Sequence, residues 1–173
     1  LQVQLPRLRP GGNIHPFESP LVKGRLISTE GIIADAKIGS SAGGAGFDIS
    51  THHPERAGTV RSYKPSGHRH TAEIEQELCA INGSPVFVGL TPHGVEMVRG
   101  ILSTVHARLA GKTADVDIWK AYRSFFVGSP FVRLVKDQNT LYRYPEPKPV
   151  VGTNFADIGW ELDLEKGRII AMS

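Results

Sequence analysis

The sequence predicts an α+β domain: a mixed, mainly antiparallel sheet with helices on one face. Three observations carry this. Short apolar segments with strand-like composition recur between turn signals. Two segments show helical spacing instead, one through Ile74, Leu78 and Ile81, the other through Val116, Trp119, Tyr122 and Phe126. The last two strand-like segments are adjacent in sequence, which favours antiparallel pairing over the strand–helix alternation of a parallel sheet.

Taken in order, residues 1–20 contain four of the twelve prolines and no steady period, so extended or irregular chain is expected there. GIIADAKI (31–38) reads as a strand, followed by GSSAGGAG (39–46), too rich in glycine for regular structure. His52-His53-Pro54 and its surroundings suggest a surface loop. A helix follows with Thr71 as its N-cap, ending at Asn82-Gly83. VFVGLT (86–91) is a strand, and ILSTVHARL (101–109) alternates like a half-buried one, with Ile101, Ser103, Val105, Ala107 and Leu109 on one face. Thr113 is the expected cap of a second helix, which Gly128 stops. FVRLV (131–135) is another strand, YPEPKP (144–149) a connector, and FADIGWELD with RIIAM a hairpin across LEKG. The total is five or six strands and two helices, without internal repeats.

A chain of 173 residues suits one domain, able to bury about two-thirds of its unfolded surface. With 40% hydrophobic and 21% charged residues it has no disorder signature. The net charge of +3 is spread along the chain, which argues against nucleic-acid binding. No apolar run reaches the ~18 residues of a membrane helix. The single cysteine, Cys79, forbids an internal disulfide and fits the cytoplasm. The first residue is Leu1, which suggests a fragment.

Several motifs could carry chemistry. GSSAGGAG lacks the Gly-Lys-Ser/Thr ending of a phosphate loop, and Ile49 stands where a dinucleotide fingerprint needs its last glycine. It is either a plain flexible loop or a cradle of N–H groups for an anion. His68-Arg69-His70 precedes a helix start with Glu73 and Glu75 in its first turns. The positive helix end favours a neutral imidazole there, able to accept a proton, and Glu73 is near enough in sequence to orient His70. Solvated surface remains the alternative. His-X-His also suits a metal, but no further Cys or His has a tight companion spacing, so none is expected. Arg99, beside Gly100, is either a surface residue or a guanidinium fork for a carboxylate or phosphate. Asn154 reads as a turn residue, and Cys79 as a small buried hydrophobe.

Together these segments are familiar. GHRHTAEIEQEL, TPHGVEMVRGILSTVHARL, PFVRLV and PVVGTNFADIG occur in the same order in N-acetyl-γ-glutamyl-phosphate reductases, which the chain resembles from about Ile32 to Ser173. RSYKPSGHRHTAE and YPEPKPVVGTNFAD are most similar to the archaeal-type branch, which reduces acyl phosphates attached to an amino-group carrier protein in lysine and arginine biosynthesis. The resemblance implies the catalytic and dimerisation domain of a glyceraldehyde-3-phosphate-dehydrogenase-like fold. It implies a thiolate that attacks the acyl phosphate, a thioester, hydride from NADPH, and a histidine handling the proton. His70 would be the acid/base, with His68 and Glu73 shaping its surroundings. Arg99 would bind substrate carboxylate or phosphate, Ser40, Ser41 and Gly43 would line the acyl-phosphate pocket, and Asn154 would lie near the cofactor. The implied partners are a small or carrier-linked acyl phosphate and further copies of the chain, as a homodimer or homotetramer.

The sequence also departs from the family. The nucleotide-binding Rossmann domain is absent, and Pro10-Gly11-Gly12-Asn13 puts Gly12 where the family has its nucleophilic cysteine in Pro-Gly-Cys-Asn. The expectation is therefore an altered segment at 1–20 and the catalytic/dimerisation domain at 21–173. Alone, such a chain should bind no NADP(H) and turn over no substrate. The alternative is a non-enzymatic oligomerisation or carrier-binding module derived from that family.

Overall fold

The structure, a computed structural model, describes residues 17–44, 46, 48–50, 52–137, 139 and 141–173. Among these, seven strands form one mixed sheet: β1 (Ile32–Ile38), β2 (Val60–Ser62), β3 (Val88–Val95), β4 (Ile101–Arg108), β5 (Val132–Leu134), β6 (Ala156–Asp163) and β7 (Arg168–Met172), in the order β2-β3-β1-β4-β7-β6-β5. β1 runs parallel to β3 and β5 parallel to β6; the other neighbours are antiparallel. Four helices accompany them: α1 (Ser19–Lys23), α2 (His53–Arg56), α3 (Arg69–Asn82) and α4 (Asp115–Phe125).

The period of two in the central strands separates the faces. Ile32, Ala34, Ala36, Leu90, Val105, Ala107, Trp160, Ile169 and Ala171 point to one side and are buried. Against them pack Ile74 and Leu78 of α3, Ile118 and Tyr122 of α4, and Leu21 and Val22 of α1, which lies beside both longer helices. Trp160 is fully buried at the centre, stacked on Tyr122 at 5.0 Å and edge-on to Trp119 at 4.8 Å. The opposite sheet face, with Ile33, Asp35, Thr91, His93, Thr104, His106, Ile170 and Met172, is covered by no helix among the described residues and is half-buried or exposed.

Several expectations are corrected. Residues 1–16, including Gly12, lie outside the described residues, but 17–23 are not irregular: Phe17, Leu21 and Val22 are buried, and α1 forms with Pro20 in its first turn, where a missing N–H costs nothing. His52-His53-Pro54 leads into α2 rather than a surface loop, because Arg56 turns inward to 5% exposure. His68, not Thr71, caps α3. Ala114, not Thr113, precedes α4, and the Asp117 carboxylate accepts the Ala114 N–H at 3.0 Å. The buried stripe of α4 runs through Ile118, Tyr122 and Phe126, leaving Val116 53% exposed. β3 continues through Pro92 to Val95, because β2 pairs with its last three residues, an edge strand the sequence reading missed.

Candidate active site

Two adjoining cavities open beside the β3–β4 turn and share Ile101 in their walls. The first, about 570 Å³, takes in Ser41, Arg99, Asn154 and Glu146. The second, about 470 Å³, takes in Gly43, Arg56, Tyr63, Lys64, His68 and His70, with Arg69 at its edge. The residues singled out in the sequence are thus divided: the histidines and Gly43 line one cavity, and Arg99, Ser41 and Asn154 the other.

The histidine cavity lies at the start of α3. His68 has extended backbone and its Nδ1 accepts the His70 N–H at 3.3 Å, closing the first turn. That places the two rings 5.0 Å apart, with Tyr63 edge-on to His68 at 6.0 Å. His70 Nδ1 is 2.9 Å from Glu73 Oε2 one turn on, and its side chain is 16% exposed against 50% for Glu73. A carboxylate on Nδ1 favours the tautomer with its proton there, which leaves Nε2 free to accept a proton and return it. Burial, then the neighbouring His70, Arg69 and Lys64, hold His68 below its ordinary value of 6.5, with Glu73 opposing weakly. His68 is therefore neutral near pH 7. The Tyr63 hydroxyl is pushed above its ordinary value by burial, against the pull of Arg56 and Arg69.

In the glycine-serine segment the N–H groups of Gly39, Ser40, Ser41, Ala42 and Gly44 are engaged by backbone carbonyls. Its central residues form a short 3₁₀ turn, Ser40–Gly43, pinned to the β3–β4 turn. The N–H groups of Gly39, Ser40 and Ser41 donate to the carbonyls of Gly100, Met97 and Val98 at 2.9–3.0 Å. A Cβ at Gly39 would sit 2.8 Å from the Val98 carbonyl oxygen, so only glycine allows this approach. The Ser40 hydroxyl, buried, meets His53 Nδ1 at 3.3 Å instead of facing a cavity. Ser41 and Gly43 remain as lining residues, one in each cavity.

Cys79 lies on α3 away from both cavities, its Sγ accepting the Val86 N–H at 3.2 Å. It tethers α3 to the start of β3. Among the described residues no group of three potential metal ligands comes together, so His68 and His70 have no third donor. Nor do the described residues fit a whole dinucleotide. The two parallel strand pairs carry no glycine-rich turn that leads from strand to helix with N–H groups free for a pyrophosphate. Sequence reasoning missed Arg56, Tyr63, Lys64 and Arg69 as parts of the histidine cavity.

The family model for the semialdehyde dehydrogenase dimerisation domain matches residues 17–173. A Caldivirga maquilingensis protein, named as a candidate LysW-aminoadipate/LysW-glutamate phosphate reductase, is 51% identical over 155 residues, 90% of this chain and 44% of that protein. The LysW-aminoadipate 6-phosphate reductase of Deinococcus radiodurans is 46% identical over 154 residues, 89% of this chain and 43% of that protein. The chain thus spans less than half the length of these relatives. Among solved structures, aspartate semialdehyde dehydrogenase from Francisella tularensis superposes with a TM-score of 0.63 at 13% identity, covering 89% of this chain and 54% of that one. That likeness speaks for the fold alone.

Proposed function

The chain belongs to the semialdehyde dehydrogenase dimerisation-domain family, and from that premise we propose that it is the substrate-holding and proton-handling part of an NADPH-dependent acyl-phosphate reductase. The substrate is a glutamyl or aminoadipyl phosphate, carried on an amino-group carrier protein as the names of its relatives indicate for them. The observation that carries this reading is the His70–Glu73 contact of 2.9 Å on a cavity wall next to the cavity of Arg99 and Asn154.

His70 Nε2 takes the proton from the attacking thiol and returns it to the oxyanion that reduction of the thioester carbonyl leaves, while Glu73 stabilises the imidazolium between those steps. His68, held neutral, adds no second positive charge beside it. Arg99, exposed and without a hydrogen bond among the described residues, extends its guanidinium toward the distal carboxylate of the acyl chain. The nucleophile is not Cys79, whose sulfur is engaged by Val86. When bound, NADPH would supply the hydride, and Asn154 is the residue of this chain that would contact it.

The test is a chimera carrying the N-terminal part of the 51%-identical relative followed by residues 17–173 of this chain. It should reduce the carrier-linked acyl phosphate with NADPH, while the 173-residue chain alone should not. A folded chimera without turnover, beside an active relative, would favour the second reading: a non-enzymatic assembly module. The uncovered sheet face supports that reading as well. Ile33 is 53% exposed there, and half-buried Leu102, Ile170 and Met172 share the same face. On either reading, two copies meet on this face.

A further inference from the structure

Arg56 is a buried cation without a counter-ion. It is 5% exposed, and it forms no ion pair among the described residues. Its Nε donates to the Ser50 carbonyl and its Nη1 to the Ile38 carbonyl, both at 2.9 Å, which fixes the plane of the guanidinium. Nη2 has no hydrogen bond among the described residues, and the side chain lines the histidine cavity. Gly94 on β3 makes room for it: a Cβ there would stand 3.1 Å from Cζ. A charge taken out of water at such a site is costly unless an opposite charge meets it. The described residues of the cavity supply none. Its other charged lining residues are Lys64 and Arg69, and it faces the positive end of the fourteen-residue helix α3.

We propose that Arg56 binds the phosphate group of the acyl phosphate, holding it in the histidine cavity, where Lys64 and Arg69 add to the positive field. The inference rests on the proposed function and deepens it. In an acyl phosphate the phosphate is bonded directly to the acyl group, so it must lie within a few bonds of the reacting carbon. The proton carrier must reach that same carbon. Phosphate and His70 therefore share a cavity, and the distal carboxylate of the acyl chain extends toward Arg99 in the next one. When the thiolate has added to the acyl carbon, the carbon–oxygen bond to phosphate breaks to give the thioester, and the leaving phosphate carries its electron pair into a site already charged to receive it. Arg56 is suited to this because its guanidinium is held by two carbonyls and loses little freedom when the anion arrives.

The test titrates inorganic phosphate into the 173-residue chain and follows the arginine Nε–Hε resonances by NMR, with chloride at equal ionic strength as control. The expected result is a saturable shift of Arg56 with phosphate and none with chloride. Arg56→Met should weaken binding about tenfold or more and Arg69→Gln about two- to fivefold, whereas Arg99→Met should change it less than about twofold. If Arg56→Met does not fold, the wild-type Arg56 resonance and the Arg69→Gln chain, altered only at an exposed side chain, decide the matter. Phosphate binding lost in Arg99→Met and retained in Arg56→Met overturns this inference while leaving the proposed function intact. No saturable phosphate binding in the wild-type chain overturns both.

Discussion

Glu18 has no exposed surface, and neither carboxylate oxygen has a hydrogen-bond partner among the described residues; the buried Tyr122 hydroxyl shares that condition. Burial pushes the Glu18 carboxyl well above its ordinary value of 4.5. Below pH 4.5 the group is protonated both folded and unfolded and costs the fold no ionisation energy. As the pH rises, the unfolded chain ionises first, so stability falls until the folded-state value is passed. Glu18→Leu should therefore raise stability at pH 7 by about 1–3 kcal/mol and flatten its pH dependence. Urea unfolding of both chains between pH 4 and 8 checks this, and parallel profiles would refute it. Residues of this kind set the limit of what the sequence discloses. The pairing of His70 with Glu73 was legible because His-X-His stands before a helix start with an acidic residue one turn on, all local features. Arg56 was not, because nothing in His-His-Pro-Glu-Arg says that its arginine turns inward; Gly94 and the Ile38 carbonyl, distant in sequence, decide that.

Helix α4 is held to the sheet chiefly through Trp160 on β6. The indole stacks on Tyr122, meets Trp119 edge-on, and donates from Nε1 to Asp115 Oδ1 at 2.9 Å. Asp115 Oδ2 accepts from Trp119 Nε1 at 3.1 Å, and Lys136 completes the cluster. Trp160→Ala should cost about 3–5 kcal/mol, and Trp119→Ala, at a half-buried position, distinctly less. Equal losses in denaturant unfolding would contradict the central place given to Trp160. At this scale the sequence spoke most clearly where a period was clean. β4 alternates, and its range, like those of β6 and β7, was legible to within a residue or so. The stripe through α4 was legible at Tyr122 and Phe126 and in part at Trp119, but Val116 was taken in place of Ile118, because the two look equally apolar and only packing separates them. β2, three exposed residues long, has no apolar pattern of its own and exists because β3 offers it an edge.

Among the described residues, one sheet face packs on the helices and the other is left uncovered, which is the arrangement an antiparallel sheet tolerates and an assembling one uses. The α+β class followed from short strands and a terminal hairpin. The use proposed for the bare face rests on the family's description as a dimerisation domain and not on any local pattern. Ile170→Glu, in the middle of that face, should convert an assembled species to monomers in light scattering without unfolding them, since the position is not part of the core. Retained assembly would move the interface elsewhere. The central claim, that His70 is the proton carrier of an acyl-phosphate reductase, is tested most directly by the kinetics of the chimera with and without His70→Ala. The account predicts kcat lowered by about 10²–10⁴-fold with KM changed little. A raised KM at unchanged kcat would make His70 a binding residue, and unaltered kinetics would remove it from the reaction.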